Sequence, residues 1–261
     1  MVSTRMISPL TFSIVIPAGP RFDGRLSECL SSLASQQAKV SVAFCDCSDA
    51  PEAHRLADDY SDLIAYRRHG SDAGQADAIA EGWDAVGGDI LGWLNVDDTL
   101  TSGALAQVAA LFDADPSLDV VYGQSHIITD DKPAFLHPEV QGPSELLYRS
   151  NIISQPSCFV RRRAIEAIGG INRDLHFVMD WDLWVRLMEN GARFHYSPAV
   201  LSEVYFGDGT KTGTLGPDRL GEIWAVLRRN CGYMTSLKAV IGFTLAHAGI
   251  YRRTETGVEA A

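Results

Sequence analysis

The sequence predicts an α/β fold: one domain with a mostly parallel central sheet flanked by helices, followed by a C-terminal helical segment. Three observations point to it. Short apolar runs rich in Ile and Val recur, each closed by Pro, Gly or Asp. Segments with apolar residues at helical spacing lie between them. The connections are short, so strand and helix alternate as they do in parallel sheets. Apolar residues make up 46% of the 261, enough for a sizeable core and against global disorder.

Phe12–Pro17 (FSIVIP) is the first buried strand, and Leu26, Cys29, Leu30 and Leu33 follow at helical spacing. Val40–Cys45 is the second strand, closed by Asp46-Cys47-Ser48-Asp49, and Leu63–Arg67 is a weaker third. Ala76, Ile79, Ala80 and Trp83 mark the next helix. Asp89–Leu94 is the fourth strand, ending in Asn95-Val96-Asp97-Asp98. Ser102–Ala114 is helical, and Leu118–Tyr122 is the fifth strand. In such sheets ligands sit beyond the carboxyl ends of the strands, where these polar residues fall. Beyond residue 124 the pattern loosens. Gln155–Val160 is extended, Arg161–Ile168 a short helix with a solvated start, and Trp181, Trp184, Val185 and Met188 mark an amphipathic helix. One or two short strands are expected in Phe194–Tyr205 around Pro198, and a mobile glycine-rich loop in Gly207–Gly216. Helices fill 217–230 and 234–252. The expected boundary therefore separates a domain of residues 1–216 from a helical appendage of residues 217–261.

The net charge of −11 disfavours nucleic-acid binding, which needs a basic face. Charge is uneven, however. Residues 219–253 carry Arg219, Arg228, Arg229, Lys238, Arg252 and Arg253 against Glu222 alone. This basic, partly apolar segment is expected to lie on an anionic membrane surface. The competing expectations are packing on its own domain and a homodimer contact. The five cysteines form no CxxC pair, and no apolar run precedes a cleavage site near the start. The expected compartment is the reducing cytoplasm, at the inner face of the cell membrane. The seven histidines show no metal-ligand spacing.

Two acidic groups carry the candidate chemistry. Asp97 and Asp98 stand at a strand end, where hard oxygen ligands suit Mg²⁺ or Mn²⁺; the alternative is capping of the next helix. Asp180 stands at the front of the amphipathic helix, where the dipole favours a carboxylate; it is either a general base or a cap.

Taken in order, FSIVIP, LSECLSSLASQ, CDCSD, GSDAGQADAIAEGWDAVGGDILGWLNVDDTL, NIISQPSCFVRRRAIEAIGGIN and VMDWDLWVRL resemble an inverting family 2 glycosyltransferase of GT-A fold. The resemblance spans about residues 12–212 and is similar to the branch that builds bacterial surface polysaccharides. It implies a nucleotide-sugar donor, most commonly a UDP-sugar, and a glycan or lipid-linked acceptor. It implies that Asp97 ligates a divalent metal under the donor diphosphate, with Asp98 beside it. Asn95 stands where the family usually has the first Asp of its DxD motif. Asp46 is implied to read the base and Pro17 to wall the nucleotide pocket, with Asp72, Gln75 and Asp77 flanking base and ribose. Asp180 matches the catalytic base, and Gln155, Pro156, Trp181 and Asp182 the acceptor side. A late His of the family is missing, and Lys211 is the cation nearest its place.

A nucleotidyltransferase would show a glycine-rich, basic first loop, of which Pro17-Ala18-Gly19-Pro20-Arg21 is a faint match. A dehydrogenase would show GxGxxG after the first strand, which is absent. The remaining alternative is a catalytically inactive nucleotide-sugar or partner-binding module of the same fold.

Overall fold

A computed structural model describes residues 10–48, 50–129, 134–137, 141–142, 146–206, 216–234, 236–238, 240–241 and 244. The strands are β1 (Thr11–Ala18), β2 (Lys39–Asp46), β3 (Ile64–His69), β4 (Ile90–Trp93), β5 (Thr99–Leu100), β6 (Val120–Ile128), β7 (Phe135–Leu136), β8 (Cys158–Arg161) and β9 (Phe194–Tyr205). The helices are α1 (Leu26–Ala34), α2 (Pro51–Asp59), α3 (Gln75–Ala85), α4 (Ala104–Ala114), α5 (Arg162–Ala167), α6 (Met179–Glu189) and α7 (Pro217–Cys231). A 3₁₀ turn, Gln155–Ser157, leads into β8.

One sheet runs in the order β3-β2-β1-β4-β8-β6-β9-β5, with β7 on β6. β1, β2, β3 and β4 are mutually parallel, and β6 and β9 pair in parallel; β8 is antiparallel between β4 and β6. Both faces of the parallel half are covered. Ile14, Ile16, Val42 and Phe44 pack against α1, α2 and α4. Val15, Ala43 and Cys45 face the second layer with Trp83 of α3, Trp93 of β4 and Trp184 of α6. Burial on both sides is why these strands read as unbroken apolar runs.

Three features beyond the sequence reading have local causes. Helix α2 was not expected, because it buries only Ala53 and Ala57 and lacks an apolar stripe. Strand β9 is a single strand. Tyr122 pairs with Tyr196 but Gln124 with Val200, so β9 carries two extra residues there, and the bulge accommodates Pro198. The arginines at 161 and 162 are not solvated. Arg161 donates to the carbonyls of Phe112 and Leu118, and Arg162 to those of Trp83, Val86 and Gly88, so they close the ends of α4 and α3.

Helix α7 packs into the main core rather than standing apart. Ile223, Val226 and Leu227 are buried in the cluster that holds Trp181 and Trp184. The described residues of the C-terminal segment therefore continue the domain across the boundary expected at 216. Among the described residues no helix is long and apolar enough to cross a membrane.

Gly82 lies where α3 crosses β1 and β2. A Cβ there would stand 2.7 Å from Val15 and 2.9 Å from Ala43. Replacing a helical Gly by Ala ordinarily stabilises a fold. Here overpacking dominates, and Gly82→Ala is expected to lower the unfolding free energy by about 1–3 kcal/mol, read by urea denaturation.

Candidate active site

The site forms where β1, β2 and β4 end, joined from the other side by the 3₁₀ turn and the start of α6. Its frame is aromatic. Trp93, the last residue of β4, stacks on Trp184 with centroids 5.8 Å apart and meets Trp83 edge-on at 5.6 Å. Asn95 and Asp97 follow Trp93 directly along the chain. Asp180 lies one turn before Trp184 on the same face of α6. The stack thus ties the chain segment that carries Asp97 to the helix that carries Asp180. Cys158, which opens β8 beside β4, lies near enough to Asp180 for that charge to raise its thiol pKa further, after burial. The Asp72–Gln75 loop closes on the same region. A Cβ at Gly74, whose φ is +133°, would lie 2.9 Å from His176 just ahead of α6, and Arg173 pairs with Asp77 at 2.9 Å.

The strand-end motif is internally braced. Gln75 donates through Nε2 to Asn95 Oδ1 at 2.6 Å, and Asn95 Nδ2 donates to Asp98 Oδ2 at 2.9 Å. An Asp at 95 could not donate to Asp98, which gives Asn95 a physical reason. Asp98 is 1% exposed, and burial, then the charge of Asp97, pushes its pKa well up. Backbone groups of Asn95 and Tyr205 also bind it. This corrects the capping expectation for Asp98, since Thr99–Leu100 form β5 and α4 starts only at Ala104. Asp97 is half-buried. Burial raises its pKa, Asp23 adds to the rise, and Arg25 opposes it. Arg25 is held by Asp23 at 2.9 Å and lies 3.5 Å over the Tyr205 ring at the end of β9.

On the nucleotide side, Pro17 is buried at the end of β1, paired with Cys45. Asp46 is fully buried. Its Oδ1 accepts from the Ser48 N–H at 2.8 Å and the Ser48 hydroxyl at 2.7 Å, while Oδ2 meets His69 Nδ1 at 3.0 Å. Asp72 is half-buried in the loop before α3. It accepts from Arg68 at 2.7 Å, Cys47 at 2.9 Å and the Gly74 N–H at 2.9 Å. Burial raises its pKa, but the bonds from Cys47 and Arg68 outweigh it and the net shift is downward.

Asp46, His54 and His69 bring ligand atoms within 4.8 Å of one another, a juxtaposition hidden from sequence because α2 and β3 supply the two histidines. Arg67 Nε donates to His69 Nε2, and Nδ1 of the same ring faces Asp46.

On the opposite side, Gln155 donates to the Trp93 carbonyl at 2.7 Å, and Pro156 is buried beside it. The hydroxyls of Ser125, Ser154, Ser157 and Ser202 interlink at 2.6–2.9 Å and fix this turn to β6 and β9. Asp180 is half-buried. It accepts from Asn151 at 2.7 Å and the Trp181 N–H at 2.8 Å. Burial raises its pKa, and Trp181, Asn151 and the more distant Arg219 partly offset the rise. The expectation that Trp181 and Asp182 face an acceptor is corrected. Trp181 is buried with its indole N–H on the Leu147 carbonyl at 2.6 Å. Asp182 is buried between Arg186 at 2.7 Å and Arg229 at 2.8 Å. Lys211 lies outside the described residues.

The sequence pattern of glycosyl transferase family 2 matches residues 13–169, more than half the chain. The chain belongs to glycosyl transferase family 2. This family 2 domain is 30% identical over 185 residues to an O-antigen biosynthesis protein, RfbC, of Myxococcus xanthus, covering 68% of the chain but only 14% of that protein. The fold is shared with solved structures at 15% identity. One is S. aureus TarS 1–349 in complex with UDP-GlcNAc (TM-score 0.65, 83% of this chain and 65% of that one). Another is a mannosyltransferase of Pyrobaculum calidifontis in complex with GDP-Man and Mn²⁺ (TM-score 0.60, 96% and 81%). The architecture is the GT-A fold.

The position of Asp182 in this family 2 domain makes a prediction. Asp182→Asn removes a buried charge from between two arginines and is expected to cost about 3 kcal/mol of stability. A titration by calorimetry should find nucleotide-sugar affinity in the folded protein within about two-fold of wild type, as expected for a core residue.

Proposed function

We propose that this domain transfers a sugar from a nucleotide-diphosphate donor to an acceptor hydroxyl, with inversion at the anomeric carbon, in the synthesis of a bacterial surface glycan. The observation that supports the reading is the Trp93–Trp184 stack, which ties the strand end before Asp97 to the helix of Asp180, two carboxyls whose pKa values burial raises. UDP-sugars are the donor class we favour, since the TarS relative of the same fold is seen with UDP-GlcNAc. The O-antigen relative supports a surface-glycan acceptor.

Asp180 is the proposed general base. Asn151 and the Trp181 N–H fix its oxygens, so one lone pair can meet the acceptor hydroxyl and take its proton as the glycosidic bond forms. The stacked tryptophans and the Gln155 bond to the Trp93 carbonyl hold the acceptor side rigid against the donor side. Gln75 and Asn95 orient the strand end. The donor set at Asp97, with the Asp23 carboxylate near it, consists of hard oxygens whose crowded charge a divalent cation would relieve. The residues thus fit Mg²⁺ or Mn²⁺ with Asp97 as ligand. When bound, such an ion would stabilise negative charge growing on the departing diphosphate.

The exposed Tyr233, Met234, Leu237 and Ile241, with Arg228 and Lys238, support contact with an anionic membrane surface. Full-length protein should sediment with vesicles containing anionic lipid. Met234→Asp with Leu237→Asp should abolish this, and equal sedimentation of the two proteins would refute the contact.

The catalytic reading is tested by two substitutions. Asp180→Asn should cut turnover about 10²–10⁴-fold while thermal shift by the nucleotide-sugar persists. Asp97→Ala should remove the extra thermal shift that Mn²⁺ adds to the donor. In the wild type, transfer should fail as pH falls through an apparent midpoint above the ordinary aspartate value of 3.8, because a raised pKa protonates the base sooner. Full turnover by Asp180→Asn would refute Asp180 as the base, whereas wild-type protein that binds a nucleotide-sugar but transfers nothing would leave the binding-module alternative in its place.

A further inference from the structure

Arg25, at the entrance to α1, has no part in the reaction proposed above, yet its guanidinium is held from two sides. The Asp23 carboxylate accepts from Nη1 at 2.9 and 3.2 Å and from the Arg25 N–H at 2.9 Å. The Tyr205 ring lies against the guanidinium, its centroid 3.5 Å from Cζ. An arginine fixed by an edge and a face has little freedom left to lose when a ligand arrives. Its side chain is still 37% exposed, so a ligand can reach it.

The contacts of α1 and β9 set this guanidinium beside the loop of Asp97. On the α1 side, the Cys29 N–H bonds to the Arg25 carbonyl at 3.0 Å, and the Cys29 thiol donates to the Asn95 carbonyl at 3.6 Å. Arg25 is therefore one helical turn from a direct contact with the 95–98 loop. On the β9 side, Thr99 pairs with Glu203 and Leu100 with Ser202 in antiparallel register. Continued by two positions, that register sets Asp97 opposite Tyr205. The Tyr205 backbone also binds the Asp98 carboxyl. Arg25 thus covers the ring of the residue opposite Asp97.

We propose that Arg25 binds the diphosphate of the nucleotide-sugar and stabilises the negative charge that it gains on departure. The inference rests on the reading of Asp97 as the residue that holds a cation beneath that diphosphate. As the bond from the anomeric carbon breaks, its electron pair passes to the diphosphate oxygen. That charge grows beside a loop where Asp97 and Asp23 add their own, so a fixed positive partner favours departure. Asp23 engages Nη1, whereas Nε and Nη2 carry N–H groups of their own, and the planar fork of an arginine suits paired phosphate oxygens. Among the described residues, Arg25 is also the cation whose charge acts on Asp97. An arginine that only pinned the end of β9 to α1 would affect every ligand alike, whereas one that binds diphosphate discriminates by phosphate content.

The test compares a nucleoside diphosphate with its bare nucleoside on the full chain in Mn²⁺, using UDP with uridine and GDP with guanosine as probes. Arg25→Gln should weaken the diphosphate about ten- to hundred-fold by calorimetry, while the nucleoside, followed by ligand-observed NMR, stays within about two-fold. Arg25→Lys, which keeps the charge but not the fork, should fall between. A second measurement needs no variant: the diphosphate should shield Arg25 of the wild type from phenylglyoxal, read by peptide mass spectrometry, and the nucleoside should not. Diphosphate affinity within about two-fold of wild type in Arg25→Gln, an equal loss of both probes, or unshielded wild-type Arg25 overturns the proposal. Wild-type protein that binds neither UDP nor GDP removes the donor reading and the proposal with it. Arg25-dependent binding of a diphosphate in a protein that transfers no sugar upholds the role of Arg25 and refutes the proposed reaction.

Discussion

The contact between Trp93 and Trp184 is the constraint on which the site depends. One ring ends β4 and the other sits in the second turn of α6, so two distant parts of the chain are fixed to each other by a single stack. Large aromatic pairs bury much apolar area and prefer a narrow set of geometries. What lies just beyond each ring inherits that precision: Asn95 and Asp97 on one side, Asp180 on the other. Trp83 meets Trp93 edge-on and anchors the pair to α3, whose first residue, Gln75, braces Asn95. The strand end that carries Asp97 and the helix that carries Asp180 are thus both tied to the core.

A second theme is the sorting of carboxylates. This acidic protein places many of them near one cleft, and most are neutralised by local partners. Asp46 is enclosed by Ser48 and His69, Asp72 by Arg68, Cys47 and Gly74, and Asp182 by two arginines. Asp97 and Asp180, like Asp98, are left with burial as the dominant influence and only partial compensation. Perturbed carboxyls of this kind concentrate where chemistry is done. The same logic explains Asn95, whose amide can donate to a neighbouring acid where an aspartate could only repel it.

Much of this was legible in the sequence. The strands β1, β2 and β4 announce themselves by apolar runs buried on both faces, and the three tryptophans by helical spacing and strand ends. Asp97 and Asp180 stand out because polar residues at such termini lack a packing role. Other features have no local signature. Helix α2 lacks a stripe, and the bulge at Pro198 exists only in the pairing of β9 with β6. The buried state of Trp181 and Asp182 depends on Leu147 and Arg229, far away in sequence. Glu222 reads as an isolated acid in a basic segment, and its bonds to residues 176–178 arise only when α7 folds back on α6.

The central claim is that the cation-binding strand end and the proposed base share one cleft. The most direct measurement is paramagnetic relaxation: Mn²⁺ and UDP added to full-length protein carrying ¹³C-carboxyl aspartate. The account predicts that the Asp180 resonance broadens together with that of Asp97. Broadening of Asp97 with a sharp, unshifted Asp180 would place the two carboxylates in separate sites and contradict it.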